Sequence, residues 1–335
     1  MAGPNVYELV TAKILDALEA GTIPWRTPWT GGGSVPRSLA TGKAYRGINP
    51  FLLQMEAAAG GYSSSWWGTF DQIAERAGLV RSGKRWVGPD SDDRPRGVTK
   101  GQRGTLIVFW ARTTKEVANP VTGEAEERKL FLLRYFKVFN LDQAAFPDGL
   151  PDRYTSAGER PAGFDPVAEA DRLAAGYFGI GNDGPRLVHV DDGRAFYAPG
   201  LDVVNVPPRS CFTTAEGYYS TLFHEAGHST GHPARLARPG VMEGHTFGDD
   251  AYSQEELVAE FTAAYLCGTA GIDPEASIGN SAAYIAGWAA KLRADAKLVV
   301  YAAAQAQRAA DRVQRLDVSA GGYLDPAVDV EEPAA

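Results

Sequence analysis

An α+β chain of two domains is what this sequence predicts, on three observations. Charge and tryptophan are unevenly spread. Residues 1–150 carry 19 Lys+Arg against 15 Asp+Glu and hold six of the seven Trp, whereas the remainder carries 14 basic and 26 acidic residues. A basic, aromatic half joined to an acidic one reads as two modules. Between them runs a Pro- and Gly-rich stretch from Phe146 to Gly163, a natural boundary. Finally, helical and strand-like periodicities alternate within each half rather than dividing between them. The expected limits are 1–147 for the first domain, 148–164 for a linker, 165–318 for the second domain, and 319–335 for an acidic tail of disordered composition.

In the first domain, Val6, Leu9, Val10, Ile14, Ala17 and Leu18 recur at helical spacing and Gly21 stops the helix. Pro24-Trp25-Arg26-Thr27-Pro28-Trp29 follows as a stiff turn, then the Gly-rich stretch 31–33 and Tyr45-Arg46-Gly47-Ile48-Asn49 before a helix from Pro50 to Ala59. Trp66 to Gln72 opens another short helix ending near Gly78. Arg81 to Trp86 is a basic run, and an acidic loop follows at 90–93. Thr105–Trp110 and Leu130–Asn140 are β-branched and aromatic, and read as two strands joined by an exposed hairpin.

The second domain begins with a helix, Asp165 to Phe178, and a Gly-rich turn. Three strand-like pieces follow at 186–190, 194–198 and 202–206, closed by Pro207-Pro208. The helix after them carries His224-Glu225-Ala226-Gly227-His228, framed by a Thr213/Glu216 capping box and by Gly231 and Pro233. Residues 252–267 form a further helix with Leu257, Phe261 and Ala264 on one face. An Ala-rich helical region runs from Ile278 to Leu316.

The chemistry concentrates in H-E-x-x-H. Residues four apart share a helix face, so His224 and His228 can hold one metal ion while Glu225 acts as base toward water. With five His and 19 Glu in 335 residues, the motif would arise by chance in about 0.4 % of such chains. Two candidates compete for third ligand. His232 continues the i, i+4 series, but Gly231 and Pro233 break the helix around it, and the metzincin pattern would place its last His where Ala234 stands. Glu256 lies one turn before Glu260, a pair suited to one ligand and one partner that orients an imidazole. Glu256 is favoured as ligand and Glu260 as that partner, with His232 the runner-up. Two His and a carboxylate suit Zn2+, and also Mn2+ or Co2+. Tyr218, Tyr252 and His245 are candidates for stabilising an oxyanion. His189, alternating in a strand, reads as structural.

Aromatic rings interleaved with cations are what a single-stranded nucleic acid needs, rings for bases and Lys/Arg for phosphates. The candidates in the first domain are Trp25, Arg26, Trp29, Tyr45, Arg46, Asn49, Trp67, Gln72, Lys84 and Arg85. The sequence shows no secretory leader and no run of 18 apolar residues. Two cysteines, Cys211 and Cys267, are too few for a disulfide framework. These features predict a cytoplasmic protein without membrane contact.

These motifs are similar to those of the ArdC family of antirestriction proteins, carried by plasmids and phages. Pro24 to Trp29, Tyr45 to Asn49 and Trp67 to Gln72 resemble that family's N-terminal single-stranded-DNA-binding domain, a type also found in TraC-type plasmid primases. His224 to His232 followed by Glu255 to Glu260 resembles its zincin-like metallopeptidase domain of gluzincin type. The resemblance covers about residues 5–310 and departs in the acidic loop at 88–97. It implies single-stranded DNA binding, one divalent metal, His224, His228 and Glu256 as ligands, Glu225 as base, and a protein substrate in the host restriction machinery. Two other readings stay open: a DNA-binding protector whose metal is only structural, and a cytoplasmic metallopeptidase without DNA binding.

Overall fold

In the computed structural model, residues 5–26, 35–89, 93–118, 125–155, 163–179, 181–241, 250–273 and 282–316 are described. Asn5 opens α1 (Val6–Glu19) with a capping box. Its side chain accepts from the Tyr7 N–H, while Glu8 accepts from the Asn5 N–H. Trp25 lies in a single 3-10 turn, Pro24–Arg26. The strand β1 (Arg37–Ser38), helix α2 (Asn49–Gly60), strand β2 (Trp66–Gly68) and helix α3 (Phe70–Arg76) follow. Next come β3 (Val80–Ser82), β4 (Arg85–Val87), β5 (Gly97–Val98), the long pair β6 (Thr105–Ala118) and β7 (Ala125–Asn140), and β8 (Ala144–Ala145).

A four-stranded sheet of order β1-β2-β7-β6 forms the frame of this half. The expected hairpin is present and longer than its apolar runs suggested, pairing antiparallel from Thr105↔Val138 to Ala118↔Ala125. Trp66 to Gly68 is a strand, not the start of a helix. Trp67 pairs with Asn140 and is 1 % exposed, so its bulk fills the sheet core, and the helix starts only after Thr69. There Thr69 and Gln72 form a reciprocal capping box.

After α4 (Asp152–Thr155) come α5 (Pro166–Phe178), β9 (Arg186–Val188), β10 (Phe196–Ala198) and β11 (Val203–Asn205). Then follow α6 (Ala215–Thr230), α7 (Asp250–Ala270), α8 (Ala282–Ala294) and α9 (Leu298–Val313). The small sheet has order β10-β11-β9, with β11 antiparallel to β10 and parallel to β9. The cap of α6 is Thr214, one residue later than expected, with its side chain accepting from Gly217 N–H. The Ala-rich region is two helices. Asp295 accepts from the Lys297 N–H and turns the chain between them. The expected linker begins as packed chain, because Tyr154 is buried against Trp66. The acidic tail lies outside the described residues.

The two halves share one hydrophobic core. Val10, Ile14 and Leu18 of α1, Trp25, and Phe51 and Leu52 of α2 join Phe261, Leu266 and Cys267 of α7, Trp288 of α8 and Val299 of α9 in one cluster. The Trp25 ring meets Phe261 edge-on at 5.1 Å and Trp288 at 6.0 Å. Each such side chain contributes roughly 1.5–3 kcal/mol by leaving water. Polar ties cross the same seam: Thr11 Oγ1 donates to Ala296 O at 2.8 Å, and Tyr265 Oη to Gly47 O at 2.6 Å. Among the described residues no helix is long and apolar enough to cross a membrane.

Candidate metal centre

Gly227, one of the two variable positions of H-E-x-x-H, decides how closely α6 and α7 can pack. A Cβ there would lie 3.0 Å from Ala259 Cα and 3.1 Å from Thr262 Cβ. With no side chain in the way, the imidazoles of α6 meet the carboxylates of α7. Nε2 of His224 and Nε2 of His228 face one another at 3.1 Å. Glu256 places one oxygen 3.6 Å from the first and the other 3.5 Å from the second.

Ligand atoms around a tetrahedral ion bound at about 2.0–2.1 Å lie roughly 3.3 Å apart. The donors of His224, His228 and Glu256, all within 4.8 Å of one another, have the spacing that fits such an ion. Two ring nitrogens facing at 3.1 Å also require a proton or a cation between them. The electrostatics favour positive charge. Burial opposes it, but the hydrogen bond that His224 donates to Glu256 and the charges of Glu225 and Glu260 outweigh burial and push the His224 imidazole up to about 9.

The carboxylate that meets the far side of an imidazole belongs to Glu255, where the sequence favoured Glu260. Glu255 Oε1 is 3.3 Å from His228 Nδ1. Glu255 is in turn gripped by the buried Arg238, with Nε donating at 2.8 Å and an Nη at 2.6 Å. Arg238 also donates to Thr230 Oγ1 and to Gly227 O, so it ties the end of α6 to α7. Burial works against the Glu255 charge, yet Arg238 and His228 hold its carboxyl below the usual range. Glu260 faces away from this contact and receives hydrogen bonds from Arg26 at 2.7 Å and from Tyr284 Oη at 2.8 Å. The reason is axial: Glu256 and Glu260 share a face of α7 but lie one helical turn, about 6 Å, apart along it, so the second carboxylate reaches the cation supplied by the other half of the chain.

His232 is not among the clustered donors. It lies past the end of α6, and its Nδ1 accepts from the Ala234 N–H at 3.2 Å. His189 Nδ1 contacts Val206 O at 2.9 Å, as a structural histidine would. Tyr218 is buried against Phe212 and Tyr219, and does not line the cleft. His245 lies outside the described residues, as does the side chain of Tyr252.

Two of the donors, His224 and Glu256, line a cleft of about 320 Å³. Glu225, Thr221, Ala195, Glu260 and Tyr284 line it, together with Trp25 and Arg26 of the N-terminal half. Arg26 also stacks over the Tyr284 ring at 4.3 Å. Sequence reasoning missed Glu255 and Arg238 as supports and Tyr284 as a cleft residue. Of these, only Glu255 carried a signal, as the neighbour of Glu256.

The residues expected to contact nucleic acid are scattered in role. Trp25 and Trp67 are 2 % and 1 % exposed and cannot stack on a base as they stand. Arg26 is committed to Glu260. The Asn49 amide is buried against Val108, bonding both its N–H and its C=O at 2.7 Å. Gln72 caps α3. Tyr45 is half-buried with its hydroxyl 3.4 Å from Trp67 O, and Arg46 is paired with Asp311. Lys84 and Arg85 are exposed on the β3–β4 hairpin, and Trp29 lies outside the described residues. The physical reasons are two: a tryptophan in a basic half still gains more from the core than from the surface, and the amides of Asn49 and Gln72 are used up by backbone hydrogen bonds.

Two family models match the chain. Residues 4–139 match the N-terminal domain of the anti-restriction factor ArdC, and residues 180–305 match a zincin-like metallopeptidase. The chain is 34 % identical over 314 residues to the uncharacterized protein y4eC of Sinorhizobium fredii, covering 92 % of this chain and 91 % of that one. It is 31 % identical over 328 residues to a DNA primase TraC of Escherichia coli, covering 92 % of this chain but only 27 % of the primase. Two solved structures are similar over nearly their whole length. The antirestriction ArdC protein from plasmid R388 in its metal-free form matches with a TM-score of 0.66 and 33 % identity, covering 96 % of this chain and 100 % of that one. Its Mn(II)-bound form matches with a TM-score of 0.65 and 32 % identity, covering 93 % and 98 %.

Proposed function

This chain belongs to the ArdC family of antirestriction proteins, and on that premise we propose that it is an accessory protein of mobile DNA with two activities. Its N-terminal half binds single-stranded DNA, and its zincin-like half uses a divalent ion for peptide hydrolysis. The observation that carries the reading is the convergence of His224, His228 and Glu256 on one point, at a cleft that His224, Glu256 and Glu225 line. The Mn(II)-bound ArdC structure supports a divalent ion, and the plasmid origin of that ArdC protein supports a mobile-DNA context.

His224, His228 and Glu256 would hold the ion, which when bound polarises a peptide carbonyl and makes water more acidic. Glu225, 8 % exposed, takes the proton of the attacking water and returns it to the departing amine. Glu255 keeps a proton on His228 Nδ1, so that Nε2 keeps its lone pair toward the donor cluster. The edge strand β10, next to Ala195 on the cleft, offers backbone to an extended peptide.

The test compares wild type with Glu225→Gln and His224→Ala in a plasmid-transfer assay across a restricting host. Metal content and proteolysis of host restriction proteins are measured in parallel. The reading expects Glu225→Gln to keep the metal and lose proteolysis, and His224→Ala to lose both. Equal proteolysis by all three proteins, or none by a metal-replete wild type given single-stranded DNA, would overturn the peptidase half.

A further inference from the structure

Of the residues first expected to contact DNA, Trp25, Asn49 and Trp67 are buried, yet the same half displays an aromatic surface beside two others, Tyr45 and Arg46. Phe109 of β6 and Phe136 of β7 stack face to face on the hairpin, with centroids 4.7 Å apart and planes 8° from parallel. They remain 37 % and 53 % exposed. Arg134, opposite Phe109 in the ladder, is exposed, and strand alternation puts it on the face that carries Phe136. Phe109 also lines a groove of about 400 Å³ with Trp110, Tyr45, Lys43 and Arg46. No Asp or Glu is among the described residues lining that groove, and since Arg46 is paired with the buried Asp311 beneath it, the cations that count toward a phosphate are Lys43 and Arg134. Charge and rings therefore occur together on a surface that the metal chemistry does not use.

We propose that this face, the Phe109–Phe136 stack with the Lys43–Arg46 groove beside it, is where the chain holds single-stranded DNA. The inference rests on the single-stranded-DNA reading above and gives it a location. Two facts select the occupant. A parallel ring pair left in water offers a flat π-face on which an unpaired base continues the stack, while the cations lie where a phosphate backbone would pass. A peptide strand is the poorer fit. β6 is the sheet edge, but the edge-facing N–H and C=O of Val108 are already taken by Asn49. Duplex DNA keeps its bases stacked inside and cannot use the rings.

The experiment uses the full chain and fluorescence polarisation with a labelled oligo-dT, an oligo-U of equal length and a duplex, each over a salt series. Phe109→Ala/Phe136→Ala should weaken oligo-dT binding at least about tenfold, the loss expected for two stacking rings. Phe109→Tyr/Phe136→Tyr should restore it, and Lys43→Ala/Arg134→Ala should flatten the salt dependence by about two phosphate contacts. Near-UV circular dichroism checks that each variant is folded. Cross-linking of wild type to bromodeoxyuridine oligonucleotide should label peptides within 43–49, 105–110 or 131–137, a readout that needs no variant. If wild type binds oligo-dT while the Ala pair binds equally well, or if the cross-links fall elsewhere, this location is wrong and the reading above stands. Preference for oligo-U over oligo-dT would also overturn it, as the occupant would be RNA. If wild type binds no single strand, the reading fails and the location with it.

Discussion

Glu255 and Glu256, consecutive residues of α7, reach opposite sides of one imidazole: Glu255 Oε1 is 3.3 Å from His228 Nδ1, and Glu256 Oε1 is 3.5 Å from His228 Nε2. Neighbours on a helix point about 100° apart, so a ring inserted between them is held from both sides. One carboxylate fixes the tautomer and the other joins the donor set. Arg238 neutralises the first, which keeps it an acceptor.

On the proposed reading, that arrangement should make Glu255 a determinant of metal affinity without its touching the ion. Glu255→Gln should weaken binding of Zn2+ or Mn2+ about 10–100-fold while the fold persists. Competition against a chromophoric chelator measures this directly. Unchanged affinity would mean that the orientation of His228 does not depend on Glu255.

The Arg26–Glu260 pair crosses the seam between the halves, with side chains only 9 % and 16 % exposed. Removing Arg26 leaves a largely buried carboxylate beside Tyr284 without its cation. Arg26→Ala should cost about 3 kcal/mol of stability, and the Arg26→Ala/Glu260→Gln double variant should recover part of that loss. Denaturant midpoints of the full cycle check the coupling, which would vanish if solvent replaced the pair without penalty.

Asp202 ties the sheet to the turn after α6 by accepting from Arg235, whose side chain is 2 % exposed, and from Tyr197. Burial works against the Asp202 charge, but Arg235 and Tyr197 outweigh it and hold the carboxyl below its usual range. A depressed carboxylate stabilises the fold above its unfolded pKa of about 3.9 and loses that contribution as pH falls through the folded value. Urea midpoints taken from pH 6 to pH 3 should therefore fall more steeply for wild type than for Asp202→Asn below pH 4.

The shared core predicts that the halves are not separable. A fragment ending at residue 155 would expose Val10, Ile14, Trp25 and Phe51, which pack on helices of the C-terminal half. It should bind 1-anilinonaphthalene-8-sulfonate and unfold without a cooperative transition, unlike the full chain. A sharp melt for the fragment would show that the seam contributes little.

What could be read from the chain alone is what neighbours in sequence decide. The i, i+4 spacing of His224 and His228 follows from helix geometry. The strands β6 and β7 follow from β-branched and aromatic runs, and the placing of Glu256 near the motif from a second helix with its own apolar face. Local rules also erred locally: Thr213 with Glu216 fits a capping box, yet Thr214 is the cap, and Trp66–Gly68 is too short to show a strand period of its own before the helix that follows. Only the tertiary structure decided which carboxylate supports His228, since that depends on the rotation and approach of α7 against α6, set by Gly227 and by a core distant in sequence. It alone decided that Trp25 and Trp67 are core while Phe109 and Phe136 face water. Hydrophobicity drives all four rings toward burial equally, and which of them succeed is settled by what the rest of the chain leaves uncovered.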